Sequence, residues 1–324
     1  MDQYIHRPEP NLIYSSRGRN KNDINEYCGP SGFVRLLTIY NPTAGQRRRR
    51  RFEAVMSALA ARGADVTLRP TARRGDAEAF AREVPGSGFD RVVVAGGDGT
   101  INEAINGLAG GSTPLAIVPL GTANVLASEI GLDGRPAVIA EAILGGTPRP
   151  IALGRIVTAS GARRFAMMAG IGFDAQVVAQ VNPALKRLTG KFAYVAASLR
   201  ELLRGPGLLF RVEVDGRVYQ AASAIVAKGH FYGGRFIACP DARLEEPALH
   251  VCLFAQTGRL HILRYAMALA LGRLPRLSDV TVVRGQRIAI DGPPGEPVQA
   301  DGDSDGRLPA VIEVEARALT LVYP

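Results

Sequence analysis

The chain has 324 residues, of which 47% are hydrophobic, and its formal net charge is +9. This length exceeds what one hydrophobic core usually serves, so we expect two domains. Three scattered cysteines, Cys28, Cys239 and Cys252, lack a CxxC pair or a neighbouring His cluster, which argues against a disulfide scaffold or a structural zinc site. No secretory signal is evident near the N-terminus, and no apolar run approaches the ~18 residues of a membrane span, so we expect a cytoplasmic protein.

The positive charge comes mostly from arginine, since only four of the 39 basic residues are lysines. A basic balance favours polyanions such as nucleic acid, anionic lipid headgroups or phosphate substrates. The run RRRRR at Arg47 to Arg51 is the nucleic-acid candidate. Because RFEAVMSALAARG continues from it with helical spacing, we interpret the run as the exposed start of a helix and expect no nucleic-acid partner.

Taken in chain order, residues 1–32 are polar and lack periodicity, which indicates a flexible extension or a start codon assigned too early. The first strand, FVRLLTIYNP, is stopped by Asn41-Pro42, and the helix after it ends near Gly63. Strands and helices then alternate through DVTLRPT, GDAEAFAREV, RVVVAG, TINEAINGLAG, PLAIVPL and TANVLASEIG. This alternation predicts an α/β domain with a parallel, doubly wound sheet covered on both faces.

After about Pro148 the pattern changes to β-branched, strand-like segments with turns at Asp215-Gly216 and Asp291-Gly292. Two helical patterns interrupt them, around Lys186 to Leu203 and Leu260 to Leu271. The second half is therefore predicted to be a mainly antiparallel β domain with two helices.

The stretch RVVVAGGDGTINEAINGL, from Arg91 to Leu108, carries a glycine turn between a strand and a helix. It is neither a Walker A loop nor the dinucleotide fingerprint, which would need a glycine where Asn102 stands. Thr100 and Glu103 have the spacing of a capping box, so we expect the helix to begin directly after the turn and to favour phosphate. Asp98 has the wrong charge to hold phosphate itself. It is explained by a cation between it and the phosphates, by an incoming hydroxyl, or by the turn alone.

Comparable turns follow two other strands, at Asn41 to Gly45 and at Gly121 to Asn124. In a parallel sheet all three turns lie at the carboxyl edge, where open α/β folds bind ligands.

These motifs resemble the diacylglycerol kinase catalytic domain family, which includes bacterial lipid kinases, sphingosine kinases and ceramide kinases. The matching segments, from about Phe33 to the C-terminus, are NPTAG, GGDGTINEAINGL, PLGTANVLA, GIGFDA, KGHFYGGRFIACPDARL and ADGD. GGDGT alone is shared with NAD kinases, whereas the ordered set is specific. The resemblance implies an ATP-binding domain over 33–148, a β-rich lipid-substrate domain over 149–312, and a last strand, 313–324, that returns to the first domain.

The resemblance also implies which residues surround the nucleotide. These positions are Asn41, Pro42, Thr43, Ala44, Gly45, Thr71, Gly96, Gly97, Asp98, Gly99, Thr100, Ile101, Asn102, Glu103, Gly121, Thr122 and Asn124.

By the same resemblance, the γ-phosphoryl group of ATP is transferred to a lipid hydroxyl with the help of Mg²⁺. The catalytic candidates are Asp98, Asp301 and Asp303, one of which would be the general base. The family's DGE motif is here Asp301-Gly302-Asp303, and the shorter side chain of Asp303 has less reach.

Two positions depart from the family pattern. Val125 stands where an aspartate usually follows the asparagine of the third turn. Glu246 is the candidate ligand for a second, structural metal, but Pro247 replaces a glycine there and alters the backbone that would offer carbonyls, so we do not expect that metal.

On the lipid side, Asp174 resembles a residue that contacts the acceptor headgroup in sphingosine kinases. The two helical patterns of the second half have apolar faces beside basic residues. These two helices would line an acyl groove or simply pack on the sheet. Alternatively, they would lie on an anionic membrane, with the chain as a peripheral protein at its inner face. The sequence leaves the acceptor lipid and the oligomeric state open, a homo-oligomer included.

Three alternatives to a lipid kinase stay open. They are an NAD kinase-like enzyme, a catalytically inactive regulator that binds lipid or nucleotide, and a nucleic-acid-binding protein that would rest on charge alone.

Overall fold

A computed structural model describes residues 13–14, 33–43, 46–132, 134–173, 175–176 and 208–324. Several sequence predictions lie outside these ranges. They concern most of the N-terminal extension, Ala44 and Gly45, Asp174, and the helical pattern from Lys186 to Leu203.

The first half of the chain is an α/β layer structure. Its strands are β1 (Ile13–Tyr14), β2 (Arg35–Tyr40), β3 (Asp65–Pro70), β4 (Arg91–Gly96) and β5 (Leu115–Pro119). The helices between them are α1 (Gln46–Ala61), α2 (Asp76–Arg82), α3 (Asp98–Leu108), α4 (Val125–Glu129) and α5 (Pro136–Gly145).

The strand order β3-β2-β4-β5 is parallel throughout, and β1 pairs antiparallel with β3 at the edge. Every residue of β4 is buried, as expected for a strand covered on both faces. In this order β3 lies on one side of β2, and β4, the strand that follows β3 in the sequence, lies on the other side. The direction of winding therefore reverses between β2 and β4, and at such a switch point a doubly wound sheet opens a crevice for ligands.

The second half is an antiparallel β sandwich. One of its sheets contains β6 (Thr147–Thr158), β7 (Gly161–Phe165), β9 (Phe210–Val214), β10 (Arg217–Ala221), β16 (Arg287–Asp291) and β19 (Ala310–Tyr323). The other has the order β15-β14-β11-β8-β17-β18, formed by Val280–Gly285, Leu249–Phe254, Ser223–Ala227, Met168–Ile171, Pro297–Ala300 and Asp303–Arg307. An apolar core, which includes Phe165, Phe210 and Val251, fills the space between them.

Helix α6 (Arg259–Ala270) and the hairpin of β12 (Phe231–Tyr232) and β13 (Phe236–Ile237) are associated with the β sandwich. Tyr265 and Ala268 of α6 belong to another apolar cluster, together with residues of β11 and β14. A 3₁₀ turn, Leu274–Arg276, follows α6. In the described ranges no helix is long and apolar enough to cross a membrane.

The last strand joins the two halves. The first part of β19 pairs antiparallel with β16, and β6 pairs with β19 along its length. Its final residues reach the parallel sheet, where Leu321 pairs with Leu115 of β5. The register shifts between Glu315 and Leu319, around Arg317, whose φ is 50°. One 14-residue strand therefore belongs to both sheet systems.

The fold class predicted from the sequence is confirmed: a parallel α/β half precedes a mainly antiparallel β half. The helix predicted around Leu260 to Leu271 is present as α6. Helix α5 was not predicted, although Pro136 at its first turn is a typical start signal.

Candidate functional site

Two of the three predicted turns touch each other at the carboxyl edge of the parallel sheet. The N–H of Leu120 donates to the carbonyl of Gly96 over 2.8 Å. A Cβ atom on Gly121 would lie 2.8 Å from Cα of Gly97 and 2.6 Å from Oδ1 of Asn124. Side chains do not fit at such an approach, so the glycines are needed for the two backbones to meet.

The turn after β2 is tied to the same place through side chains. Nδ2 of Asn41 donates to Oγ1 of Thr100 over 2.9 Å. Oδ1 of Asn41 accepts from the backbone N–H of Thr43 at 3.0 Å and from its hydroxyl at 2.7 Å. The described part of the NPTAG turn is thereby held against the start of α3.

The capping box predicted at Thr100 and Glu103 is wrong. Helix α3 begins two residues earlier, at Asp98, with Gly97 as its N-cap and no side-chain cap. Thr100 is already the third helical residue, and its hydroxyl is used by Asn41. The first N–H groups of α3 have no acceptor within the helix, which leaves its N-terminus suited to an anion.

Asp98 holds the second and third turns together. Its Oδ2 accepts the N–H of Asn124 at 3.0 Å, and its Oδ1 accepts the N–H of Val125 at 2.7 Å. Asn124 has a left-handed φ of 48°, which turns these two N–H groups toward Asp98 at the start of α4. Both carboxylate oxygens are therefore engaged by backbone donors.

Asp301 belongs to the β sandwich, yet it reaches α3. Its Oδ2 accepts from Nδ2 of Asn102 and from the N–H of Ala166, each at 2.8 Å. Its Oδ1 accepts the N–H groups of Met167 at 3.0 Å and Met168 at 2.9 Å. Burial raises the pKa of the Asp301 carboxyl, and these N–H bonds offset part of the rise.

Asp303 has a different environment. Its Oδ2 lies 3.1 Å from Nη2 of Arg74, and its side chain is 27% exposed. The same oxygen would lie 3.9 Å from a Cβ atom on Gly99, so the carboxylate faces the first turn of α3 across the cleft. Within the described contacts its partner is one exposed guanidinium instead of several backbone donors, so Asp303 is the least constrained of the three carboxylates.

Both halves of the chain are similar to known proteins. A family model described as "Diacylglycerol kinase catalytic domain" matches residues 35–156, and one described as "YegS C-terminal NAD kinase beta sandwich-like domain" matches residues 167–323. A diacylglycerol kinase of Mycobacterium tuberculosis is 31% identical over 296 residues, which cover 90% of this chain and 95% of the relative. The chain belongs to the diacylglycerol kinase catalytic-domain family.

Further similarities extend over both halves of this lipid kinase. A diacylglycerol kinase of Bacillus subtilis is 26% identical over 90% of this chain and 96% of the relative. The crystal structure of a diacylglycerol kinase from Bacillus anthracis superposes with a TM-score of 0.72 and 26% identity, covering 90% of this chain and 98% of that one. The similarity therefore includes the cleft between the two halves.

The remaining predicted nucleotide positions of the kinase differ in exposure. Thr71 is buried at the end of β3, and its N–H donates to the carbonyl of Tyr40 over 2.8 Å. Ile101 is buried in the core, while Glu103 is half-buried and Pro42 is exposed. Thr71 thus lies beside the turn that follows β2, and Ile101 contributes to the core.

Two arginines that sequence reasoning did not select border the site. Nη2 of Arg48 donates to Oγ1 of Thr122 over 2.8 Å, and Arg74 pairs with Asp303. Arg48 belongs to the arginine run, and Arg74 to RPTARRGDA, in which only Thr71 was selected. Their positive charge and the uncapped N-terminus of α3 fit a polyphosphate such as that of ATP.

The surroundings of Glu246 do not fit a structural metal. Its carboxylate pairs with the guanidinium of Arg284 and lies 3.5 Å from Nε2 of His250. No group of three or more His, Cys, Asp or Glu side chains in the described segments is arranged to hold a metal ion.

Proposed function

We propose that this lipid kinase transfers the γ-phosphoryl group of ATP to a lipid hydroxyl, with diacylglycerol or a similar lipid as the acceptor. The observation that carries the proposal is the position of Asp303, which faces Gly99 from the opposite half of the molecule. A carboxylate there lies beside a helix N-terminus that attracts phosphate, so donor and acceptor can meet between them.

In this proposal the three turns bind the nucleotide. The uncapped N-terminus of α3 and the glycine backbones at Gly97 and Gly121 receive phosphate oxygens, while Arg48 and Arg74 supply positive charge. A bound Mg²⁺ would neutralise phosphate charge, and Asp303 is the carboxylate free enough to face it or the incoming hydroxyl.

Asp303 acts as the general base. The acceptor hydroxyl gives its proton to the Asp303 carboxylate as its oxygen forms a bond to the γ-phosphorus, and the bond from that phosphorus to the β–γ bridging oxygen breaks. The products are a lipid phosphate and ADP. Asp98 positions the second and third turns, and Asp301 holds Asn102 of α3 against the start of β8, because N–H groups already occupy the oxygens of both carboxylates.

A cavity of about 30 Å³ lies beside Asp98 and Asp301, and it is lined by the buried side chains of Met167, Met168, Val125 and Leu126. It admits little more than a water molecule, so the apolar body of an acceptor lipid would lie outside it. Because such an acceptor lies in a bilayer, the proposal includes peripheral binding to an anionic membrane at its cytoplasmic face. The names of the M. tuberculosis and B. subtilis relatives favour diacylglycerol over other lipids.

The test is a phosphorylation assay with ATP labelled in the γ-phosphate, Mg²⁺ and mixed micelles that each contain one lipid. We expect label in diacylglycerol or a closely related glycerolipid. Asp303→Asn should lower kcat by about 10²–10⁴-fold and leave nucleotide affinity within about threefold. Asp303→Glu keeps the carboxylate and should keep kcat within about tenfold of the parent value.

Two outcomes would overturn this proposal. Label that enters no lipid, while ATP still binds, would indicate an inactive regulator. Label that enters NAD, offered as the acceptor in a parallel reaction, would indicate the NAD kinase-like alternative.

A further inference from the structure

Helix α6 presents an apolar row to solvent. Leu260, Leu263, Met267 and Leu271 are 81%, 53%, 57% and 63% exposed. Spacings of three and four residues place them along one side of the helix and of the residue that follows it. Tyr265 and Ala268 are buried, so the helix is anchored by a different side.

The β12–β13 hairpin extends this surface. Phe236 and Ile237 of β13 are 45% and 37% exposed, and β13 contacts α6. Six of the ten large hydrophobic side chains exposed in the described part of the chain are thus on α6, Leu271 and β13. Single exposed apolar residues are ordinary, but such a concentration marks an interaction surface. We call these six residues the apolar face.

The charged side chains near the apolar face are mostly arginines. Arg235, Arg259, Arg273 and Arg276 are exposed in the same segments. No Asp or Glu occurs between Ala255 and Ser278, and the next acid, Asp279, is paired with Arg264. Apolar side chains beside arginines complement an anionic bilayer, whose surface attracts about 1 kcal/mol per basic residue.

We propose that the apolar face inserts into the headgroup region of an anionic membrane, with the arginines on the lipid phosphates. At 12 residues, α6 is about 18 Å long. It is too short to cross a bilayer, so it would lie in the plane of the interface. This inference rests on the proposed function, because a lipid acceptor requires the enzyme to work at a bilayer.

A short series of contacts connects the apolar face with the candidate active site. The N–H groups of His230 and Phe231, at the start of the hairpin, donate to Glu129 over 3.1 and 3.2 Å. Glu129 is the last residue of α4, and the first N–H group of α4 donates to Asp98. Docking through α6 and β13 would therefore place the bilayer against the half that contacts α4 and, through α4, Asp98.

The first test is a flotation assay of the full chain with vesicles of phosphatidylcholine alone or with phosphatidylglycerol at about one third of the lipid. The double variant Leu263→Asp/Met267→Asp should bind anionic vesicles at least tenfold more weakly than the parent. Leu209→Asp/Val218→Asp is the matched control, since these side chains are 57% and 50% exposed and lie outside the apolar face. Circular dichroism and the Tm establish that each variant is folded.

The second test concerns charge. Arg273→Glu/Arg276→Glu should also reduce binding to anionic vesicles at least tenfold, whereas the equally charged Arg62→Glu/Arg217→Glu should reduce it less than threefold. Phosphorylation of a short-chain diacylglycerol presented as monomers should stay within about twofold for all these variants. That assay separates docking from catalysis.

Equal vesicle binding by the parent and by both face variants would overturn this inference while leaving the kinase proposal intact. Vesicle binding through the apolar face by a protein that phosphorylates no lipid would overturn the kinase proposal and leave the membrane-binding surface in place. Undiminished binding to neutral vesicles would overturn the requirement for anionic lipid. If light scattering shows that Leu263→Asp/Met267→Asp converts a dimer into a monomer with vesicle binding unchanged, the face joins two copies of the chain and the membrane assignment fails.

Discussion

At the scale of single residues, the three acidic side chains of the cleft divide into two kinds. Asp98 and Asp301 have both oxygens bonded to N–H groups, whereas Asp303 faces an exposed arginine and partly solvent. A base must accept a proton from a substrate, and a carboxylate saturated by backbone donors is poorly placed to do so. In the proposed function this difference makes Asp98 and Asp301 positioning residues and Asp303 the general base.

Asp301→Asn should destabilise the protein by about 2–4 kcal/mol, because an amide cannot accept all four hydrogen bonds that the carboxylate accepts and leaves buried donors unpaired. Urea unfolding measures the change. Asp303→Asn, two residues away and more exposed, is the matched control and should change stability by less than about 1 kcal/mol. An Asp301→Asn protein as stable as the parent but inactive would instead make Asp301 the base.

Lys228 gives a pH-dependent prediction. It is fully buried, its ammonium donates to the carbonyl of Arg243, and burial lowers its pKa from 10.5 to about 8, although Glu246, Glu245 and Glu129 oppose the shift. Between these two values the unfolded chain binds more protons than the folded one, so stability rises with pH.

Between pH 7 and pH 10.5, the free energy of unfolding of the parent, relative to that of Lys228→Met, should therefore increase by up to about 3 kcal/mol. Urea titrations at several pH values measure it, with Arg62→Met, on the exposed surface of α1, as the control. A stability difference between parent and Lys228→Met that does not change with pH would contradict the assigned shift.

At the scale of elements, the glycine turns require close backbone contact. Gly121→Ala would force its Cβ against Gly97 and Asn124 and push the second and third turns apart. We expect a loss of about 1–3 kcal/mol of stability and at least a tenfold rise in the KM for ATP. Gly145→Ala is the control, because a Cβ there meets open space in α5. Unchanged kinetics in Gly121→Ala would show that the spacing of the turns is not critical.

The sequence predicted these elements better than it predicted their contacts. Buried strands followed by polar turns are local patterns, so the three turns at one sheet edge could be inferred. The start of α3 could not, because Gly97 serves as an N-cap without a side-chain signal and Thr100 is used by Asn41, 59 residues away. Likewise, the partners of Asp301 and Asp303 differ. Asp301 accepts from a backbone N–H of β8 and Asp303 from Arg74, and both partners come from distant parts of the chain.

At the scale of the whole molecule, the two halves are connected by more than a linker. β19 spans both sheet systems, Asn102 of α3 donates to Asp301, and His230 donates to Glu129 of α4. Because the candidate active site is completed by residues from both halves, the geometry of Asp303 over α3 depends on these connections.

Leu321→Ala tests this coupling. Leu321 is fully buried, and β19 pairs there with β5 and with β6. Its truncation should cost about 2–5 kcal/mol. Hydrogen exchange should then accelerate in β5 and also in β16, because β19 is hydrogen-bonded to both halves. Val55→Ala in α1, equally buried in the first half, is the matched control and should accelerate exchange in the parallel sheet alone. If exchange in β16 is unaffected by Leu321→Ala, the halves unfold independently, and β19 does not transmit stability from one side of the cleft to the other.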